Sequence, residues 1–216
     1  MPEARKIACI GGGSLFFRRA LPDLLVSPDL GGSEIVLYDL NLDKARIMTQ
    51  MGQRLAQEAG TGCIVRAAET LDDALDSADF ALSSIGGSGG GLTQQVYRSS
   101  YHGADIHIPM KYGIYQVVGD TCGPAGMMMG LRSVPAYLEI ARTMEQRCPN
   151  AILVNHSNPM AVLCRALNKY TGIQTIGLCH GVQAGIRYAA GLLGVPPHEL
   201  SCTWVGTNHY YWFTRV

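Results

Sequence analysis

The chain lacks an excess of either charge: 17 Lys and Arg stand against 17 Asp and Glu. No field of one sign is present to draw in nucleic acid or an anionic membrane surface. It also lacks any apolar run near the roughly 20 residues that a bilayer-spanning helix needs. The opening Met1-Pro2-Glu3-Ala4-Arg5-Lys6 leads straight into a short apolar stretch, so no membrane association is expected and a cytoplasmic location is. Nor is there a C-x-x-C pair. The seven cysteines, Cys9, Cys63, Cys122, Cys148, Cys164, Cys179 and Cys202, are scattered and odd in number, which reads as reduced thiols and not as a disulfide framework. Internal repeats are absent too. What is present is a 216-residue chain with 47% hydrophobic residues, enough for one generous domain or one domain and part of a second. The expected partner is a small molecule.

Short apolar runs alternate with helix-length amphipathic segments, the pattern of an α/β protein with a parallel sheet covered on both faces. Strands are predicted near Lys6 to Ile10, Glu34 to Asp39, Cys63 to Ala67, Phe80 to Ile85, Ala151 to Asn155 and Gln174 to Cys179. The clearest helices are Leu42 to Ala59, Ser133 to Arg147, Pro159 to Tyr170 and Val182 to Leu193, with Gly172 and Gly194 placed as helix-ending glycines. Gly86 to Gly91, five glycines in six residues, reads as a loop. From Leu200 the pattern changes and ends in His209-Tyr210-Tyr211-Trp212-Phe213. An aromatic strand needs a covering layer, so a larger second domain or a second chain is expected over it, and with it self-association as a dimer or tetramer.

Ile7-Ala8-Cys9-Ile10 runs directly into Gly11-Gly12-Gly13-Ser14 and a helix-forming stretch. Gly11 suits the tight turn, Gly13 lets backbone approach a pyrophosphate, and the helix N-terminus offers amide donors to it. Phe16 stands where the third glycine of G-x-G-x-x-G would be, and Pro22 interrupts the helix, whose axis is expected to bend. Asp39 closes the next strand near the expected spacing of about 20 residues. There its carboxylate would accept both ribose hydroxyls and repel a 2′-phosphate, which selects NAD over NADP. The competing reading has Asp39 merely capping the following helix through Asn41. The cofactor contacts are thus placed at Gly11, Gly13, Ser14, Leu15, Phe16 and Asp39.

Three later segments carry chemistry. Gly119-Asp120-Thr121-Cys122-Gly123-Pro124-Ala125-Gly126 is read as a loop before Leu131-Arg132-Ser133. Asp120 there would bind a sugar hydroxyl or orient a metal ligand, and Arg132 would hold an anionic group; the alternatives are a turn residue and a helix-start residue paired with a neighbour. Asn155-His156-Ser157-Asn158-Pro159 follows a strand whose end lies where ligands of doubly wound folds bind. Asn158 is either a site residue with its amide pointing outward or the cap of the next helix. Cys179 and His209, each near a strand end, are able to share a divalent cation as thiolate and imidazole, or else are a core cysteine and a structural histidine.

Taken together, Ile10-Gly11-Gly12-Gly13-Ser14, Tyr38-Asp39, Gly119-Asp120-Thr121, Leu131-Arg132, Asn158-Pro159, Cys179-His180 and Asn208-His209 resemble, in order, the motifs of glycoside hydrolase family 4. The resemblance implies a Rossmann-type doubly wound sheet like that of malate and lactate dehydrogenases, over residues 1–175, and the start of a second α+β, substrate-binding domain over 176–216. It implies NAD and a divalent metal, commonly Mn2+, with Cys179 and His209 as metal ligands, Asn158 contacting a substrate hydroxyl, and Asp120 and Cys179 among the catalytic residues. Arg132 and His180 join Asn158 in binding substrate. Family members acting on 6-phosphosugars commonly read Cys-Asn where this chain has Cys179-His180, which points to an unphosphorylated hexoside or uronide. The implied chemistry departs from the usual two-carboxylate glycosidase: oxidation at the sugar C3, loss of the acidified C2 proton, elimination, addition of water and return of the hydride. The catalytic base is expected beyond Val216. The competing functions are an NAD-dependent 2-hydroxyacid dehydrogenase, which needs no metal, and a non-catalytic nucleotide-binding module.

Overall fold

The computed structural model describes residues 3–86, 100–116, 119–207 and 210–216. Of the glycine run expected to form a loop, Gly86 alone lies within them, and Asn208 and His209 lie outside. Six strands, β1 (Lys6–Ile10), β2 (Glu34–Tyr38), β3 (Ile64–Ala67), β4 (Phe80–Ser83), β5 (Ile152–Asn155) and β6 (Thr175–Gly177), form one sheet in the order β3-β2-β1-β4-β5-β6. Every pairing in it is parallel. The strand order reverses beside β1, so β1 and β4 flank the switch point where such sheets bind ligands.

Side-chain alternation explains why the strands read as continuous apolar runs. Along β1 and β2, Ile7, Cys9, Ile35 and Leu37 join one core, while Ala8, Ile10 and Val36 join the other. The first core is covered by α1 (Phe17–Val26) and α2 (Leu42–Ala59), through Phe17, Leu21, Leu25, Met48 and Ala56. The second is covered by α3 (Leu71–Leu75), α5 (Gly123–Arg147) and α6 (Met160–Tyr170), through Leu75, Tyr137, Ile140, Leu163 and Leu167. A strand buried on both faces has no polar side to show.

The expected helices differ in three places. Helix α1 runs on through Pro22, because Leu21 and Leu25 on its inner face are fully buried and hold the segment to the sheet. Helix α5 begins at Gly123, ten residues before the expected start, so the second half of the Gly119–Gly126 loop is helical and Arg132 is a mid-helix residue. Pro124 suits the first turn, where its missing N–H costs nothing, and the orphan N–H of Ala125 donates to Oε1 of Gln116 at 2.9 Å. Helix α6 ends at Thr171, whose hydroxyl and N–H both donate to the Leu167 carbonyl, leaving Gly172 without the expected left-handed role. Gly194 does close α7 (Gly181–Leu193) with φ +69°. An additional helix, α4 (Ser100–Met110), precedes α5.

β7 (Thr203–Thr207) and β8 (Tyr210–Arg215) pair antiparallel as a separate two-stranded sheet. The anticipated division after residue 175 therefore falls inside β6, a strand of the main sheet held to β5 by its ladder. All seven cysteines are unpaired. Among the described residues no helix is long and apolar enough to cross a membrane.

Between the sheet and α5 lies a buried polar knot. Asn155 Oδ1 accepts from Tyr137 Oη at 2.8 Å, from Ser83 Oγ at 3.2 Å and from the Ser157 N–H at 2.9 Å, and its Nδ2 donates to the Ser157 carbonyl at 3.0 Å. Burial drives the Tyr137 hydroxyl pKa up to about 12, so it serves as a donor throughout the working pH range. Tyr137→Phe is expected to cost about 1–3 kcal/mol of unfolding free energy in urea with the heat-capacity signature of the native chain kept. A change indistinguishable from zero would show that the knot contributes no net stability.

Candidate active site

All six strands run the same way, so the residues after β1, β2, β4, β5 and β6 gather along one edge. The turn after β1 is drawn tight by two bonds: the N–H groups of Gly11 and Gly12 both donate to the Tyr38 carbonyl, at 2.9 and 2.8 Å. Gly11 has φ +79°, and a Cβ there would fall on the Ser84 backbone, so neither the dihedral nor the space admits a side chain. At Gly13 a Cβ would lie 2.6 Å from Lys44 Cβ and 3.0 Å from Asp39 Oδ2. Gly13 is thus required by packing against the start of α2, a reason that spacing did not supply.

Asp39 is buried and both its oxygens are engaged: Oδ2 accepts from the Gly13 N–H at 3.0 Å and Oδ1 from the Asn41 N–H at 2.9 Å. Capping of α2 falls to Asn41, whose side chain accepts from Lys44 N. Asp39 is therefore a brace between the glycine turn and β2. An ionised carboxylate has about four acceptor positions, so two remain for ribose hydroxyls. Ser14 Oγ is buried without a hydrogen-bond partner, and among the described residues nothing accepts from the N–H groups of Leu15 and Phe16. Unsatisfied donors at the start of a helix fit an anionic pyrophosphate.

On the other side of β1 the structure joins two of the expected residues. Asn158 Nδ2 donates to Asp120 Oδ2 in a short bond, and the Thr121 hydroxyl lies 3.4 Å from Asn158 Oδ1. Asn158 Oδ1 also accepts from Met160 N at 3.3 Å, while the residue preceding α6 is Pro159, joined by a cis peptide. The Asn158 amide is turned onto the Asp120 carboxylate, not outward, and Asp120, which is fully buried, is no simple turn residue. Arg132 is placed elsewhere. Its guanidinium forms a two-point ion pair with Asp105 of α4 and lies 5.8 Å from the Tyr101 ring centroid. Of the two expectations for Arg132, an anion holder or a helix-start residue paired with a neighbour, the structure shows the pairing, with Asp105, at a mid-helix position.

Cys179 and His180 follow β6, both exposed. The Gly181 N–H donates to Cys179 Sγ at 3.5 Å. Among the described residues no three His, Cys, Asp or Glu side chains gather into a ready metal cage. The second expected ligand, His209, lies outside the described residues.

One site residue escaped sequence reading. His156, held after β5 by its N–H to the Ser83 carbonyl at 3.0 Å, stacks on Phe16 with ring centroids 4.0 Å apart and faces His180 at 6.5 Å. The Phe16 ring of this stack stands at the position of the third glycine of the dinucleotide pattern. No pattern in the sequence pairs residues 16 and 156. Nor was there a local sign for Gln116 or Tyr137, which position the site from behind.

The sequence profile described as "Family 4 glycosyl hydrolase" matches residues 6–193. The chain belongs to the family 4 glycosyl hydrolases. It is 33% identical over 213 residues to an alpha-galactosidase of Bacillus subtilis (strain 168), covering 98% of this chain and 48% of that protein. It is 36% identical over 221 residues to an alpha-galacturonidase of the same organism, covering 98% and 46%. A solved 6-phospho-alpha-glucosidase from gut microorganisms, in complex with NAD and Mn2+, superposes with a TM-score of 0.77 at 26% identity, over 98% of this chain and 46% of that one. The family 4 chain described here thus spans about half the length of the curated relatives it matches.

Burial, then the neighbouring His180, lowers the His156 pKa below its ordinary 6.5. In that window the unfolded chain binds a proton that the folded chain refuses, so stability is full above pH 6.5 and falls as pH drops toward the folded value. Urea unfolding at pH about 7.5 and about 5.5 is expected to show a smaller loss for His156→Phe than for the unaltered chain. Equal losses would refute the assignment.

Proposed function

We propose that this protein hydrolyses O-glycosidic bonds by NAD-dependent oxidation, elimination, addition and reduction, with a divalent cation, on an unphosphorylated hexoside or uronide. The observation that carries the reading is the arrangement of one sheet edge. A glycine turn whose Ser14 hydroxyl and Leu15 and Phe16 N–H groups find no acceptor among the described residues stands beside Asp39, and across the switch point lie Asn158, Asp120 and Cys179. When bound, NAD supplies reversible hydride acceptance and the cation polarises the sugar oxygens beside it.

The chain's own residues do the remaining work. Asp39 accepts the ribose hydroxyls with its two free lone-pair positions, and its negative charge disfavours a 2′-phosphate. Asn158, whose Oδ1 is held by Thr121 and Met160 and whose Nδ2 is oriented by Asp120, offers the second hydrogen of its amide to a sugar hydroxyl oxygen. Cys179, as thiolate, holds the cation, with His209 completing the protein's share. His180 is exposed next to Cys179, and the Cys179-His180 pair supports an unphosphorylated sugar. Arg132 acts through Asp105 and Tyr101, its guanidinium engaged by the Asp105 carboxylate and so fixing α4 against α5.

Aryl hexosides and aryl uronides mixed with the protein, NAD and Mn2+ are expected to release phenolate only when both NAD and metal are present, with no net NADH. Steady NADH accumulation on a 2-hydroxy acid would replace this reading with a dehydrogenase. Asp39→Ala is expected to weaken NAD binding about ten- to hundredfold, measured by calorimetry. Unaltered affinity would remove Asp39 from the cofactor site.

A further inference from the structure

Gly181 is held on both sides of its residue. Its N–H points at Cys179 Sγ, 3.5 Å away, and its carbonyl accepts the Tyr211 hydroxyl at 2.6 Å. Tyr211 comes from β8, 30 residues away, so the bond is a tertiary tie between the Cys179 turn and the two-stranded sheet. The approach is made possible by Gly185, one helical turn beyond Gly181: a Cβ there would collide with the Tyr211 hydroxyl and lie 3.0 Å from Phe213 Cζ. Tyr211 and Phe213 lie against this bare strip of α7, edge to face at 5.6 Å. Phe213 supplies packing alone. Tyr211 supplies packing and one directed hydrogen bond.

We propose that Tyr211 is a positioning residue for the thiolate of Cys179. By anchoring the Gly181 carbonyl it keeps the Gly181 N–H aimed at the sulfur, which fixes the direction in which Cys179 meets a cation. Groups that orient a metal ligand without touching the metal typically alter affinity by about 10- to 100-fold. The proposal rests on Cys179 being a metal ligand, and the test keeps the two ideas apart.

Co2+ titrated into the NAD-bound chain serves as the probe, read by the sulfur-to-cobalt charge-transfer absorption. The unaltered protein is expected to develop this band and Cys179→Ser to lack it. Tyr211→Phe, which removes one oxygen, is expected to weaken Co2+ binding about 10- to 100-fold and shift the band, with NAD affinity and circular dichroism unchanged. Gly185→Ala, which pushes the ring away, is expected to act in the same direction. Phe213→Leu is expected to lower the melting temperature and leave Co2+ affinity as it was. Wild-type affinity and band in Tyr211→Phe would overturn the proposal, as would an equal loss in Phe213→Leu, which would assign the effect to packing. No band in the unaltered chain, or a band that survives Cys179→Ser, would overturn the ligand reading, and the proposal with it.

Discussion

The site depends on one buried side chain, Asn155. Its amide receives Tyr137 from α5, Ser83 from β4 and the Ser157 backbone from its own turn. Ser157 Oγ in turn accepts from the Ile85 N–H at 2.8 Å and donates to the Ile85 carbonyl at 2.9 Å. A buried amide left without these partners would be costly, so the ends of β4 and β5 are locked to each other. Everything mounted on those ends takes its position from that lock: His156 one residue on, Asn158 three residues on, and through Asn158 the carboxylate of Asp120.

A second brace does the same for the other half of the edge. The Asp39 carboxylate ties the glycine turn to the end of β2 and to the start of α2. The turn's shape is set within the chain itself, by the Gly11 and Gly12 N–H bonds to the Tyr38 carbonyl. Such preorganisation lowers the ordering cost of binding. Between the two braces the Phe16 and His156 rings stack, so the glycine turn and the segment after β5 are in physical contact.

The Phe16–His156 stack coincides with a departure from the usual dinucleotide fingerprint. A third glycine normally lets the first helix pack closely on the sheet. Here Phe17 does the packing, fully buried, while Phe16 turns its ring to His156.

Much was legible in the sequence because it was local. The succession of strand, glycine turn, helix, strand and terminal Asp39 is encoded within 33 residues of contiguous pattern, Ile7 to Asp39. The apolar runs announced strands buried on both faces, and parallel strands necessarily bring their following residues to one edge, which is why Asn158 and Cys179, each following a strand, read as candidate site positions. The tertiary structure alone decided which polar groups meet. Asp120 with Asn158, Arg132 with Asp105, Tyr137 with Asn155 and Tyr211 with Gly181 are separated by 38, 27, 18 and 30 residues. A hydrogen bond leaves no periodicity in the chain. Its partner is chosen by how helices seat on the sheet, and that seating is set by the whole core together.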